Sequence, residues 1–532
     1  MTTNTMADNE PQAVAGPPTA PPDRPSAVWN RRLIIGAFWF VVVCLGLPHW
    51  TWTTSIQRSS LPLESMNAWA EGNACQLQYP LNIELKTSNV PSEQTSNLAA
   101  SLETLLNAED RFSVHKFNVV TGTFSTNSAL IVQLDSSSAN SPAKAALRSW
   151  ESVLDVSHQL QTPEDLQNTA LFLAGQIFEV FEDESAALSH LLNGTPFSGG
   201  RQAMQLSVEK KQKLDGRTTR AFKPASSYHL TFSLFTPGAS PSAWEIDQAL
   251  KEYIQPLLNP LSSVSKFTID TQVQLYAAFS PSISGPVFDE DRNRWSLHYS
   301  DLTGFVNAAE WPLSPGIGSG PTINFVLYHP SADKAPLLIA ENDGTSWIIP
   351  QWGAVQIHNP PPGQNTTKLT LEDLRPDMLV FADQLASLLG VPPSPPSLSL
   401  RISSLARERA TALILSASST LGALSRLTLK LTSIEIPTSV AKSVDETLTR
   451  LDQACQDLQQ GNFQSALENA RIAETEVEKA FFEPSMVGQV YFPEEHKVAV
   501  YVPLLGPMAV PLVLSAINQL KSLRDRKKAK TG

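Results

Sequence analysis

Residues 31–54 read RRLIIGAFWFVVVCLGLPHWTWTT. After Arg31 and Arg32, the 22 residues Leu33 to Thr54 contain no Asp, Glu, Lys or Arg. As a helix they extend about 33 Å at 1.5 Å per residue, enough for a hydrocarbon core of about 30 Å. Trp50 and Trp52 fall at the far end, where an amphipathic ring favours the membrane–water boundary. A cleaved secretory signal is the rival reading. The long stretch before the arginines opposes it, as do bulky residues where a cleavage site needs small ones. Residues 33–54 are therefore read as a first transmembrane helix.

The reading extends outward in both directions. Residues 1–32 carry six prolines among small and polar neighbours, too little apolar surface to offset ordering entropy, and are read as a disordered cytoplasmic tail. At the other end, 498–520 is a run of 23 residues without a charge, followed by a basic tail, 521–532, with Lys521, Arg524, Arg526, Lys527, Lys528 and Lys530. Basic residues stay on the cytoplasmic side of a span, so both clusters place both termini in the cytoplasm and residues 55–497 across the membrane. The sequons Asn193-Gly194-Thr195 and Asn365-Thr366-Thr367 lie in that region, as glycosylation in a secretory lumen requires, with Pro196 favouring Asn365 as the acceptor. Pro503, Pro507 and Pro511 recur every four residues in the second span and so share one helix face. Each removes an internal hydrogen bond, which in lipid must be replaced by neighbours or water. A kinked span packed against partner helices or bordering a lipid groove is one reading, and tolerated kinks without a function the other.

The chain as a whole, at 532 residues, allows two to four structural units. The charged fraction, 17%, is below the roughly 25% of ordinary soluble domains. A net charge of -12 argues against general nucleic-acid binding. Three cysteines, Cys44, Cys75 and Cys455, cannot form a disulfide scaffold or a four-cysteine zinc site. Whether Cys75 pairs with Cys455 stays open. Strand-like runs occupy 81–85, 116–120, 129–134, 228–235, 268–276, 323–328 and 347–357, with helical patterns at 97–107, 165–180 and 243–257. Beyond about residue 360 helix dominates, and Pro392-Pro393-Ser394-Pro395-Pro396 reads as a linker. Val444, Leu448, Leu451, Cys455 and Leu458 form one apolar stripe and Leu467, Ala470, Ala473, Val477 and Phe481 another, facing across a break at Gly461-Asn462. The expectation is a mixed α/β or α+β lumenal region over 55–390 and a helical lumenal region with an αα-hairpin over 391–497. One transmembrane helix flanks them at each end. No repeat with a period of 20–50 residues is visible.

No constellation gathers catalytic groups. Gln453-Ala454-Cys455-Gln456-Asp457 approaches the caspase nucleophile signature but ends in Asp457, sits on an apolar helical stripe and lacks an upstream histidine at the right distance. Cys455 is read as a core residue. Gly316-Ile317-Gly318-Ser319-Gly320 lies between Pro315 and Pro321 with no helix following, so it offers a turn and no phosphate cradle. The nine histidines show no zinc-binding spacing, the Asp289 and Asp291 pair is too common a pattern to support acid/base work, and Glu494-Glu495-His496 reads as a membrane-boundary segment. No catalytic, metal or cofactor residue is assigned.

Two sets of terminal residues carry a family resemblance. Gly46-Leu47-Pro48, Trp50, Thr53-Thr54, Arg58 and Leu61-Pro62 resemble the first span and exit segment of the PIG-S family. Ala480-Phe481-Phe482-Glu483-Pro484-Ser485, Tyr491-Phe492-Pro493, Tyr501, Pro503-Leu504 and Pro507-Met508-Ala509-Val510-Pro511 resemble its final helix, lumenal exit and second span. Gln351-Trp352-Gly353 is an internal match. The resemblance implies a non-catalytic subunit of the endoplasmic-reticulum GPI transamidase, which cleaves a C-terminal signal and transfers the new carbonyl to the ethanolamine amine of a GPI lipid. It implies PIG-K, the caspase-like catalytic chain, PIG-T, PIG-U and an aminopeptidase-like subunit as partners, with membrane lipid and GPI as further contacts. The competing class is a stand-alone membrane-anchored lumenal enzyme acting on GPI or glycans.

Overall fold

The computed structural model describes the chain from Arg24 to Arg524 except residues 55–57, 89, 109–113, 123–127, 137–142, 159–162, 199–205, 278–284, 307–319, 362–365, 432–433, 487–498, 500–502, 504–505, 508 and 522–523. It forms two compact units. One comprises the terminal segments with 431–437, and the other 60–430 with 438–483.

In the terminal unit the apolar run is helical throughout: α1 (Pro25–Phe40), a π-helical turn (Val41–Gly46) and α2 (Leu47–Thr54). Proline at the first helical position explains a start earlier than the apolar run, because its missing N–H is one of the orphans there in any case. Pro48 removes a donor that the preceding turn needs, and the Leu47 N–H reaches back to Val42 instead, widening the ladder to a π-turn. The stretch Pro25–His49 is long and apolar enough to cross a membrane and exposes its apolar side chains, Ile34 and Phe40 among them. Residues 509–521 are helical as well, and Val510, Val513, Leu514, Ile517 and Leu520 are exposed along them. Much of the remaining 498–520 run, and of the 1–32 tail, lies outside the described residues.

The larger unit begins with α3 (Leu63–Ala70) and then builds a sheet from β1 (Tyr79–Ser88), β2 (His115–Thr121), β3 (Leu130–Ser136), β4 (Lys144–Leu147) and β5 (Val153–His158). Its order is β2-β1-β3-β5-β4, parallel except for the edge strand β4. The crossover helix α4 (Ser92–Ala108) and α5 (Pro163–Leu192) cover it. Leu98, Leu102 and Leu106 of α4, and Ala170, Leu173, Ile177 and Phe181 of α5, join Leu81, Ile83, Val132 and Leu154 in one core. The polar helix α6 (Val208–Arg220) follows.

A second sheet then repeats the first. Its strands, in a chain that also contains β7 (Ala243–Trp244), α7 (Ile246–Ala249) and α8 (Gln255–Leu261), are β6 (Ser227–Phe235) and β8 (Lys266–Gln274). After a three-stranded annex of β9 (Val287–Asp289), β10 (Arg294–Leu297) and β12 (Leu337–Ile339), into which β11 (Thr322–Tyr328) is interposed, come β13 (Ser346–Ile349) and β14 (Gly353–Ile357). The order is β8-β6-β11-β14-β13, again parallel except for the last. In both sheets the first strand lies next to one edge, with the second outside it at that edge and the third on its inner side at the centre of the sheet. An antiparallel edge strand then precedes the last parallel one, and a long helix follows: α5 in the first case, α9 (Leu371–Leu388) in the second. β15 (Lys368–Leu369) leads into α9, whose start is fixed by a capping box between Thr370 and Asp373. Phe232, Phe325 and Phe381 stack and cross where α9 meets this sheet. The two halves are wound alike although no sequence repeat announces it.

Residues 389–397 join α9 to α10 (Leu398–Lys430) within the same unit. Helices α11 (Thr438–Gln460) and α12 (Phe463–Phe481) form the expected hairpin, turning at Gly461, and α12 packs on α10. The buried stripe of α11 includes Val444, Leu451, Cys455 and Leu458, and that of α12 Leu467, Ala470, Ala473 and Val477. Gly422 lets α3 approach α10, since a Cβ there would press on the Ala70 methyl. Helix α10 is also long and apolar enough for a span by composition, but half of that window is buried, so it is the core helix of this unit.

Candidate functional site

The least ordinary chemistry sits on α10. Arg407, Glu408 and Arg409 are consecutive and all buried, at 1%, 7% and 5% exposure. Successive helical residues point about 100° apart, so three neighbours face three directions. Arg407 meets Glu184 of α5 in a two-pronged ion pair at 2.5 and 2.7 Å, and its guanidinium lies over the Phe463 ring. His115 of β2 completes that pair at 3.3 Å from Glu184. Glu408 is paired with Arg217 of α6 and accepts from Ser404 at 3.2 Å. Arg409 donates to the Leu389 carbonyl at 2.8 Å and to Ser265, above the Tyr228 ring. Tyr79 at the start of β1 bonds to Thr411 at 2.5 Å. Helix α10 is thus bolted to both α/β halves by charge, which explains why so apolar a helix carries ions at its centre.

Burial shifts these groups in opposite senses. It pushes the Glu408 carboxyl up, and Arg217 only partly offsets it. Burial would also raise Glu184, but the charge and hydrogen bonds of Arg407 outweigh it and hold that carboxyl well below the usual range. Burial lowers the Arg409 guanidinium. These are structural pairs: each charged group is engaged by a partner from another element of the protein.

A cavity of about 760 Å³ opens between α6, the second half of α9, residues 391–394 and the start of α10. Lys210, Lys213, Arg217, Arg220 and Arg401 line it, against Asp183, Glu209 and Asp383. Lys210 pairs with Glu182 at 2.9 Å and Asp183 at 3.2 Å, and Lys213 with Glu209 at 2.9 Å. Arg220 and Arg401 have no carboxylate at ion-pair distance among the described residues; Nε of Arg220 is buried without a hydrogen-bond partner, and Nε of Arg401 donates to the Pro392 carbonyl.

One arrangement looks more like acid/base machinery. His329 and His358 follow β11 and β14 at the carboxyl ends of parallel strands, where open α/β sheets bind ligands. Their rings stack 5.5 Å apart, and His358 Nδ1 is 2.6 Å from Asp377 of α9, whose other oxygen accepts from Gln356 at 2.8 Å. Burial, and then the neighbouring His358, lower the His329 imidazole to about 4. Sequence spacing could not reveal this trio, because three separate elements supply it. No hydroxyl or thiol is hydrogen-bonded to either imidazole among the described residues, so a nucleophile is missing. The described residues hold no group of three metal-ligating side chains either.

The residues singled out from sequence are placed as follows. Cys455 is buried and bonded to Cys75, with Cα atoms 6.1 Å apart, so it has no thiolate to offer. Asn193 lies exposed on the turn after α5, with Thr195 held by the Leu192 carbonyl at 2.7 Å. Asn365, Gly316–Ser319 and Glu494–His496 lie outside the described residues. Pro503, Pro507 and Pro511 are helical and exposed. Asp289 caps a turn by accepting from the Asp291 and Arg292 amides. The internal match has a steric cause. Gln351 and Gly353 take positive φ in the β13–β14 turn, and a Cβ on Gly353 would collide with the Asn324 carbonyl. Arg58 of the N-terminal match donates to the Leu431 carbonyl at 3.0 Å, and Ser59 bonds to Ile436.

These features define a protein with an exposed apolar helix near its N-terminus and two like-wound α/β halves clamped on a charged core helix and followed by an αα-hairpin. The profile of the family described as phosphatidylinositol-glycan biosynthesis class S protein, PIG-S, matches residues 37–526. The chain belongs to the PIG-S family. It is similar to the GPI-anchor transamidase component PIGS of Rattus norvegicus, 28% identical over 531 residues covering 90% of this chain and 93% of the relative. The Homo sapiens protein of that name is 27% identical, covering 92% and 95%. The GPI transamidase component PIG-S homolog of Schizosaccharomyces pombe is 28% identical, covering 92% and 84%.

Proposed function

We propose that this chain is a non-catalytic subunit of a GPI transamidase, supporting the attachment of GPI anchors to precursor proteins in the endoplasmic reticulum. The observation that carries the reading is the family match over 37–526, with relatives matched over most of their length and named as transamidase components. Two further observations support it. The sulfur of Cys455 is engaged with Cys75, which favours a catalytic thiol on another chain, and a disulfide of this kind suits an oxidising lumen. The partners are then a caspase-like chain (PIG-K), PIG-T, PIG-U and an aminopeptidase-like subunit. The two apolar end segments serve as spans with both termini cytoplasmic, and the region between them stands in the lumen with Asn365 and Asn193 as glycan acceptors.

The test is purification of the tagged full chain from membranes in mild detergent, with stoichiometric partners identified by mass. Recovery of a caspase-like chain and multi-span subunits is the expected result. A chain that purifies alone, or with unrelated partners, overturns the reading.

A further inference from the structure

The cavity beside α6 is lined by two arginines, Arg220 and Arg401, whose guanidinium groups are not committed to a carboxylate at ion-pair distance among the described residues. Three carboxylates and five cations line it, and Glu182 and Glu408, outside the lining, pair with Lys210 and Arg217. Lys210, Lys213 and Arg217 already have carboxylate partners, which leaves Arg220 and Arg401 as the lining cations without a carboxylate at ion-pair distance among the described residues, with Asp383 acting on Arg401 from farther away. The Nε–H of Arg220 is buried without an acceptor among the described residues, so this guanidinium beside the cavity is under-used by the protein's own groups. Helix α6 itself buries none of its residues and stands over the cavity by ion pairs rather than by packing, a poor solution for stability alone. Val391, Pro392, Pro393 and Leu214 give the cavity an apolar wall beside the cations, and Ser387 adds a hydroxyl. About 760 Å³ is in the range of small-molecule sites.

We propose that this cavity binds a phosphate ester, its phosphoryl oxygens held by Arg220 and Arg401 and its organic part lying against Val391, Pro392 and Pro393. The inference does not depend on the transamidase reading. The chemistry is shared by a soluble sugar or glycerol phosphate and by a phospholipid headgroup, and the experiment separates the two. The full chain in neutral detergent is titrated with glycerol 3-phosphate and with short-chain phosphatidic acid, against sodium chloride at matched ionic strength, by calorimetry and thermal melting. Binding of either at millimolar affinity or tighter is expected. It should weaken at least about tenfold in Arg220→Gln/Arg401→Gln, whose melting without ligand stays that of the parent. Phosphatidic acid binding more than tenfold tighter assigns the site to a headgroup, and equal affinities assign it to a soluble ester. Should the double variant not fold, acetylation of Lys213 in the parent protein decides, since its rate should fall severalfold with ligand while that of Lys144 stays constant. No binding by either ligand at tens of millimolar overturns the proposal, as does binding that survives the double substitution or leaves Lys213 labelling unchanged.

Discussion

Arg407 shows what a single residue has to do in this molecule. At 1% exposure it pairs with Glu184, and removing one partner of such a pair leaves the other charge buried and unanswered. Arg407→Met should therefore cost about 3–5 kcal/mol in urea unfolding of the purified chain, while Arg407→Met/Glu184→Leu should recover most of it. If the double variant is as unstable as the single one, the cost lies in packing and not in charge. His329 offers a pH test. Its imidazole is lowered to about 4 by burial and by His358, against about 6.5 in an unfolded chain. Between those values the unfolded chain binds the extra proton. The stabilisation is therefore complete above pH about 6.5 and declines as pH falls toward 4, by about 3 kcal/mol. His329→Phe should flatten that decline in melting temperature over the same interval; parallel curves for the two proteins would refute the assignment.

At the scale of elements, the Cys75–Cys455 bond ties the segment after α3 to α11 across 380 residues of sequence. Closing so long a loop restricts the unfolded chain strongly, so Cys75→Ser/Cys455→Ala should lower stability by about 3–5 kcal/mol. The parent protein should yield a linked peptide pair on non-reducing digestion, and its absence would show the bond is not formed. For the proline-marked helix, Pro503→Leu/Pro507→Leu/Pro511→Leu should leave membrane insertion intact while reducing recovery of partner subunits severalfold in pull-downs. Undiminished recovery would favour tolerated kinks. Strands such as 81–85 and 323–328 were legible in the sequence with ends within three residues of those observed. Trp347 to Ile357 reads as one run yet forms two strands, because the Gln351–Gly353 turn is set by backbone conformation and by contact with Asn324. Helix α10 falls inside the region read as helical, but it was not singled out as a core helix because its buried charges break the apolar period that identifies one.

At the scale of the whole molecule, topology can be checked through its glycans. Treatment with an N-glycosidase should increase gel mobility, Asn365→Gln should remove most of that shift, and Asn193→Gln any remainder. An untreated chain with the mobility of the treated one would place residues 55–497 outside a glycosylating compartment, or leave both sequons unused.

The sequence by itself determined the apolar run at the N-terminal end, the αα-hairpin, the mixed α/β character and the family, because these rest on local periodicity, charge and short motifs. Tertiary structure alone decided the shared winding of the two halves, the Cys75–Cys455 bond, the ionic clamp on α10 and the cavity where Arg220 and Arg401 meet. Each depends on residues from distant elements, and local patterning carries no information about which charge a buried arginine will face once the chain has closed around it.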